Sequence, residues 1–199
     1  YHTEQAKSSV SGSDADMAGV RAEYSYAAAM AQCCHVLKNE AGAAVYLKQA
    51  QTAYQTAVRS RSRTDMAVSP EQYMAATALF NVTGSYSYHQ VIKQYEAAED
   101  TAEGFWGDLL YLTSLQRVDT KLCEQQMNRL LKECGELSDN VFSQHAIESR
   151  ADSLTAMLKL AVADNTLVSL EYRNACKILL HACYSNMEEM DCVCLLYTS

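Results

Sequence analysis

The sequence has one proline and seven glycines in 199 residues, and that scarcity removes several architectures at once. Sandwiches and barrels built from many short strands need turn residues at frequent intervals, and disordered chains are enriched in the same residues, so neither class fits. Basic residues are also few. Sixteen Lys and Arg stand against 24 Asp and Glu for a net charge of −8, which argues against nucleic-acid binding, since phosphate contacts need Lys and Arg gathered on one face. Arg59, Arg61 and Arg63 cluster, but they close a predicted helix, where cations suit the negative end of the dipole. They read as a solvated terminus. No apolar run approaches the length that spans a bilayer, so no membrane partner is expected. The chain opens on Tyr1 with neither Met nor a signal-peptide pattern and reads as beginning inside a longer protein.

Eight cysteines are too few for a disulfide scaffold in a chain of this size. Cys34, Cys123, Cys134, Cys176 and Cys183 fall where helices would turn an apolar face inward, and free Cys acts there as a small hydrophobe. Zinc is the alternative for Cys34-His35 and His181-Ala182-Cys183, yet no CxxC or HExxH spacing exists. No metal and no cofactor is expected.

What the chain has in abundance is helical periodicity, with 49% hydrophobic residues. Tyr26, Ala27, Met30, Ala31, Cys34 and Leu37 form one stripe over residues 21–37, and Tyr46, Ala50, Ala53, Tyr54 and Ala57 a second over 43–59. Asn39 to Gly42 separates them. Ser69-Pro70-Glu71-Gln72 is a helix start: Ser caps, Pro suits the first position, and Gln at the third can bond back to the cap. Tyr73, Ala76 and Phe80 make this helix's face, Thr83-Gly84 stops it, and Ser85 opens a fourth through about residue 99. Thr101 to Gly107 reads as a loop holding the single Trp, followed by a short helix over 109–115. Asp119 then caps a helix through Cys134 striped by Cys123, Met127, Leu130 and Leu131. After a polar interval, helices over 145–163 and 169–184 pair, with Leu154, Met157, Leu158 and Ala161 facing Tyr172, Ala175, Cys176, Leu179 and Cys183.

The second helices of three pairs begin alike, at Tyr46, Tyr88 and Tyr172, spaced 42 and then 84 residues apart. That is compatible with four successive pairs, each burying its stripe on its neighbours in an open solenoid or a closed ring, though helical patterning alone also produces such starts. The fold class is therefore all-α, consecutive antiparallel helical hairpins. Residues 1–190 form one partial helical-hairpin domain. Residues 191–199 leave the pattern, and the ending Cys194-Leu195-Leu196-Tyr197-Thr198-Ser199 resembles translated sequencing-adaptor read-through. This tail is set apart as non-native in appearance, and Cys192 and Cys194 receive no function.

Two stretches resemble the helical-toroid catalytic domain of family 9 glycoside hydrolases, the cellulases and endoglucanases. Arg21-Ala22-Glu23-Tyr24-Ser25-Tyr26-Ala27-Ala28-Ala29-Met30-Ala31-Gln32, with the helix from Tyr46 to Tyr54, is similar to the family's AAxMAQAARV run and YLxxAxxAY helix. Glu71 to Gly84 resembles its WAAAELYxATGDxxY hairpin, with Tyr73 in the place of the Trp and Tyr88 completing it. Leu154 to Leu180 resembles a later hairpin without the glycine turn. Together these cover roughly half the chain, and tetratricopeptide-like repeats share such Ala-rich helices.

The resemblance implies an arc of an (α/α)6 toroid from an extracellular enzyme that cleaves β-1,4-glucan by inversion, with a polysaccharide as partner. Inversion needs one carboxylic acid for the leaving oxygen and one carboxylate to activate water. The family's Asp-x-Gly-Asp base stretch and its Asn-Glu acid are both missing at the right places. Asp14-Ala15-Asp16 lacks the glycine turn, and Asn39-Glu40 lies too early in the chain, so both read as solvated loop residues. No catalytic residue is assigned, and the isolated chain is expected to be inactive. Part of a sugar cleft remains as an expectation: Glu71 and Tyr73 at the start of the matched hairpin, and Trp106 and Asp108 before Tyr111-Leu112, which resembles the family's GxxAYL helix. The plainer alternative makes Tyr73 core and Trp106 a pin for its loop. Two other readings stand beside this one, a non-catalytic helical-repeat module that binds a protein, and a catalytically dead relative of the enzymes.

Overall fold

In the computed structural model the backbone is described for residues 12–61, 67–96, 104–139 and 146–197, with side chains for 17–61, 67–96, 104–137 and 151–188. Eight α-helices and no strand occur among the described residues, as the all-α expectation requires. They fall into two compact units, divided between residues 98 and 99.

The first unit contains α1 (Gly12–Val36), α2 (Ala43–Ser60), α3 (Pro70–Thr83) and α4 (Tyr86–Glu96). Alanines line the meeting faces of the first hairpin: Ala27 and Ala31 on α1, Ala50, Ala53 and Ala57 on α2, all buried. Small side chains at such a seam let two helix axes approach closely. The α2 stripe is buried as expected at Ala50, Ala53, Tyr54 and Ala57, while Tyr46 is only half-buried. On α1 the buried face is rotated from the expected one, because Tyr24 is 1% exposed while Tyr26 is 45% exposed and Leu37 also reaches solvent.

Helix α3 is the centre of this unit and packs on α1, α2 and α4. From Gln72 to Phe80 only Met74 escapes full burial, which suits a helix surrounded by others. Its start is capped as the sequence predicts: the Ser69 hydroxyl accepts from the Gln72 N–H at 3.2 Å, and Pro70 fills the first turn. The Gln72 side chain differs. Instead of bonding back to the cap it accepts from Arg61 Nη1 at 2.7 Å, so Arg61 is not simply solvated but joins the end of α2 to the start of α3. At the far end Gly84 takes φ 64°, the left-handed conformation that a side chain disfavours, and its N–H reaches the Phe80 carbonyl at 2.7 Å. Only Gly84 and Ser85 separate α3 from α4, so the chain must reverse there.

The second unit contains α5 (Phe105–Leu112), α6 (Thr120–Asp139), α7 (Ala146–Thr166) and α8 (Leu170–Tyr197). Several boundaries differ from the sequence reading, and α5 also stops at Leu112 instead of running to residue 115. Helix α5 begins at Phe105, so Trp106 lies in a helix rather than a loop. Helices α6 and α7 each continue beyond their expected ends, and α8 continues as backbone helix to Tyr197, through most of the segment set apart as a tail.

The core of this unit joins Phe105 and Leu109 of α5, Met127, Leu130 and Cys134 of α6, and Cys176 and Cys183 of α8. Helix α7 contributes Ala156, Leu160 and Ala163, with Ser153 also buried. Leu154 and Leu158, expected to face α8, are instead 52% and 66% exposed. Positions 153, 156, 160, 163 and 167 form a stripe of mostly small residues, and α7 packs against both α6 and α8. A helix held between two neighbours favours its slimmer apolar side, and Leu154 and Leu158 point the other way.

Candidate functional site

Glu71 and Tyr73 lie in the first turn of α3, on different sides of the helix. Tyr73 is fully buried. Its ring stacks on Tyr95 of α4 with centroids 4.1 Å apart and planes 8° from parallel, and its hydroxyl donates to Glu96 Oε1 at 3.1 Å. Tyr73 therefore joins α3 to α4 and presents no ring face to a sugar. Glu71 is half-buried, and its Oε2 is shut off from water without a hydrogen-bond partner among the described residues. A carboxylate in a first helical turn is favoured by the N–H dipoles that converge there.

Trp106 and Asp108 belong to α5 in the other unit and point opposite ways. Trp106 is 57% exposed and meets Phe105 edge-on at 4.9 Å, so much of its indole surface is open to a flat ligand. Asp108 is 3% exposed. Its carboxylate accepts from Arg129 Nε at 3.0 Å and also from Arg129 Nη2, a two-pronged ion pair between α5 and α6. Lys159 of α7 pairs with Glu133 of α6 and lies 5.3 Å from the Phe105 ring centroid. These charges fasten α5, α6 and α7 to one another. Arg129 had no role in the sequence reading because its partner lies 21 residues away.

A second aromatic group crosses the first unit. Tyr24, Tyr54 and Tyr88 meet edge-to-face, each neighbouring pair of centroids 5.3 Å apart. Burial pushes the Tyr54 hydroxyl up to about 12, partly opposed by the Gln72 side chain beside it, although among the described residues no well-formed hydrogen bond reaches the oxygen. A neutral phenol in that setting is a packing group rather than a proton donor at ordinary pH.

The sequence reading also missed a groove of about 490 Å³ between α1 and α2, lined by Glu23, Tyr26, Val45, Lys48, Gln49, Thr52, Ala53 and Thr56. Its only signal in the sequence is Tyr26, which the helical stripe assigns to the core and the structure leaves 45% exposed. Asn39 and Glu40, the dipeptide that copies the family's acid motif, sit exposed in the α1–α2 turn, as expected of loop residues. The side chains of Asp14 and Asp16 lie outside the described residues.

Among the described residues no group of three His, Cys, Asp or Glu side chains is placed to hold a metal ion, and no helix is long and apolar enough to cross a membrane. Burial pushes Cys134 up to about 12, helped by the negative charge of Glu133, and Cys176 up to about 11, helped by Asp164. Such thiols are poor nucleophiles. No protein-family model matches this sequence, nor does any curated protein or any solved structure.

Proposed function

We propose that this chain is a segment of a glycoside hydrolase that acts on β-1,4-glucan by inversion, a run of its helical hairpins without either catalytic carboxylate. The observation that supports this most is the α3–α4 hairpin. The stretch that resembles the family forms two helices joined at a left-handed Gly84, with the Ser69 cap before it and Tyr88 on the returning helix. The other resembling stretches fall on α1 with α2 and on α7 with α8. In this reading the parent enzyme works outside the cell, where its polymer lies, and its acid and base come from elsewhere in the sequence.

Of the four residues first considered for sugar contact, Trp106 keeps an open ring and is the one assigned to glucan; Asp108 is occupied by Arg129 and Tyr73 by the α3–α4 core. Affinity electrophoresis of the chain through hydroxyethyl-cellulose tests this. Retarded migration that Trp106→Ala abolishes is the expected result, with no reducing ends released from carboxymethyl-cellulose. Released ends would contradict the missing carboxylates, and unretarded migration would remove the glucan assignment.

A second reading, a non-catalytic helical-repeat module, is favoured by that same commitment of Tyr73 and Asp108 to packing. Under it neither chain nor variant is retarded.

A further inference from the structure

The first hairpin is covered on one flank and open on another. Helix α1 packs on α2 and on α3, but no residue of α3 or α4 lines the groove between α1 and α2. The groove's floor is apolar in character. Tyr26 and Val45 expose 45% and 57% of their surface, Ala53 lies beneath them, and the Thr52 and Thr56 hydroxyls donate to the carbonyls of Lys48 and Thr52 at 2.8 and 3.0 Å. Those two donors are already satisfied within α2, so the threonines bring methyl groups to the surface without needing a polar ligand.

Length and charge narrow the occupant. From Val45 to Thr56 the groove runs along about 16 Å of α2, three helical turns. The Tyr24–Tyr54 contact puts Glu23 at the Thr56 end, whereas Lys48 lies one turn from Val45 at the other. Neither charge has an ion-pair partner among the described residues. An extended peptide would hold unpaired backbone N–H and C=O groups against this floor, while a helix satisfies its own and offers a ridge of side chains to a groove between two helices.

We propose that the α1–α2 groove docks one amphipathic α-helix of a partner protein, about three turns long, apolar side down, with a basic side chain beside Glu23 and an acidic one beside Lys48. The proposal is independent of the glucan reading, since it involves a different face and different residues.

The probe is a fluorescein-labelled, hydrocarbon-stapled 14-residue helix with leucines at i, i+4 and i+7, Lys at one end and Glu at the other, titrated with the full chain by fluorescence anisotropy. Saturable binding is expected, and Val45→Glu, at an exposed position, should remove it while leaving the helical ellipticity unchanged. Glu23→Lys should weaken the Lys/Glu peptide about tenfold and strengthen a Glu/Glu version of it, since an attraction and a repulsion change places. No saturable binding by the unaltered chain, equal binding by Val45→Glu, or a Glu23→Lys effect of the same sign on both peptides would each overturn the proposal.

Discussion

Replacing Asp108 by Ala tests what the contact between α5 and α6 contributes to stability. Asp108 is 3% exposed and the Arg129 side chain 18% exposed, so the substitution leaves a largely dehydrated guanidinium facing the void of a carboxylate. Removing one member of a buried pair costs about 3–5 kcal/mol, and because Arg129 keeps some access to water the lower end applies, about 3 kcal/mol. A unit of this size has an unfolding slope of about 1–1.5 kcal/mol per molar urea, so its midpoint should fall by about 2–3 M. Far-UV ellipticity follows all the helices. Pulsed thiol labelling mapped to Cys134 and Cys176, both fully buried in the same unit, separates its transition from that of the first unit. The double variant Asp108→Leu with Arg129→Met should recover most of the loss, since no charge is then left unpaired. An unchanged midpoint in the single variant, or a double variant as weak as the single, would refute the structural role. Loss of glucan retardation at unchanged stability would instead make Asp108 a sugar ligand.

The register of α7 is tested by two neighbouring leucines: Leu160→Ala should cost about 2–5 kcal/mol and Leu158→Ala within about 0.5, both read by urea unfolding. Gly84→Ala should lose about 1 kcal/mol, because φ 64° brings the new Cβ against the backbone, and lower the melting temperature of the first unit by about 4–8 °C in calorimetry. At pH 8 an aromatic disulfide reagent should modify the half-buried Cys33 rapidly and reach Cys134 and Cys176 only as fast as their unit opens. Above about pH 9 the unfolded chain loses thiol protons that folded Cys134 and Cys176 retain up to about 12 and 11, so stability should fall as pH rises through that window. A flat alkaline denaturation profile for this unit would contradict those burial effects.

Helix α3 was legible because its signals are local: a hydroxyl three residues from the N–H that it caps, a proline in the first turn, and a glycine at the only positive φ among the described residues. Helix α7 was legible as a helix but not in its orientation. Its sequence carries apolar stripes on two sides, and what selects between them is the room left by α6 and α8, a property of three segments together. Helix α5 was misplaced because Gly104 and Gly107 resemble breakers. Gly104 stands just before the helix, while Gly107 lies buried inside it. The candidate sugar residues divide in the same way. Residue type suggested all four, but whether an aromatic ring or a carboxylate faces solvent depends on partners such as Tyr95, Glu96 and Arg129, none adjacent in the chain.

Within each unit, every pair of helices in substantial contact is one or two places apart along the chain. Such contacts close short loops, so each unit has the low contact order of fast-folding helical domains, whose rates lie in the microsecond-to-millisecond range. A hairpin that needs only its immediate predecessor to find its place can form as it leaves the ribosome, before later parts of the polypeptide exist.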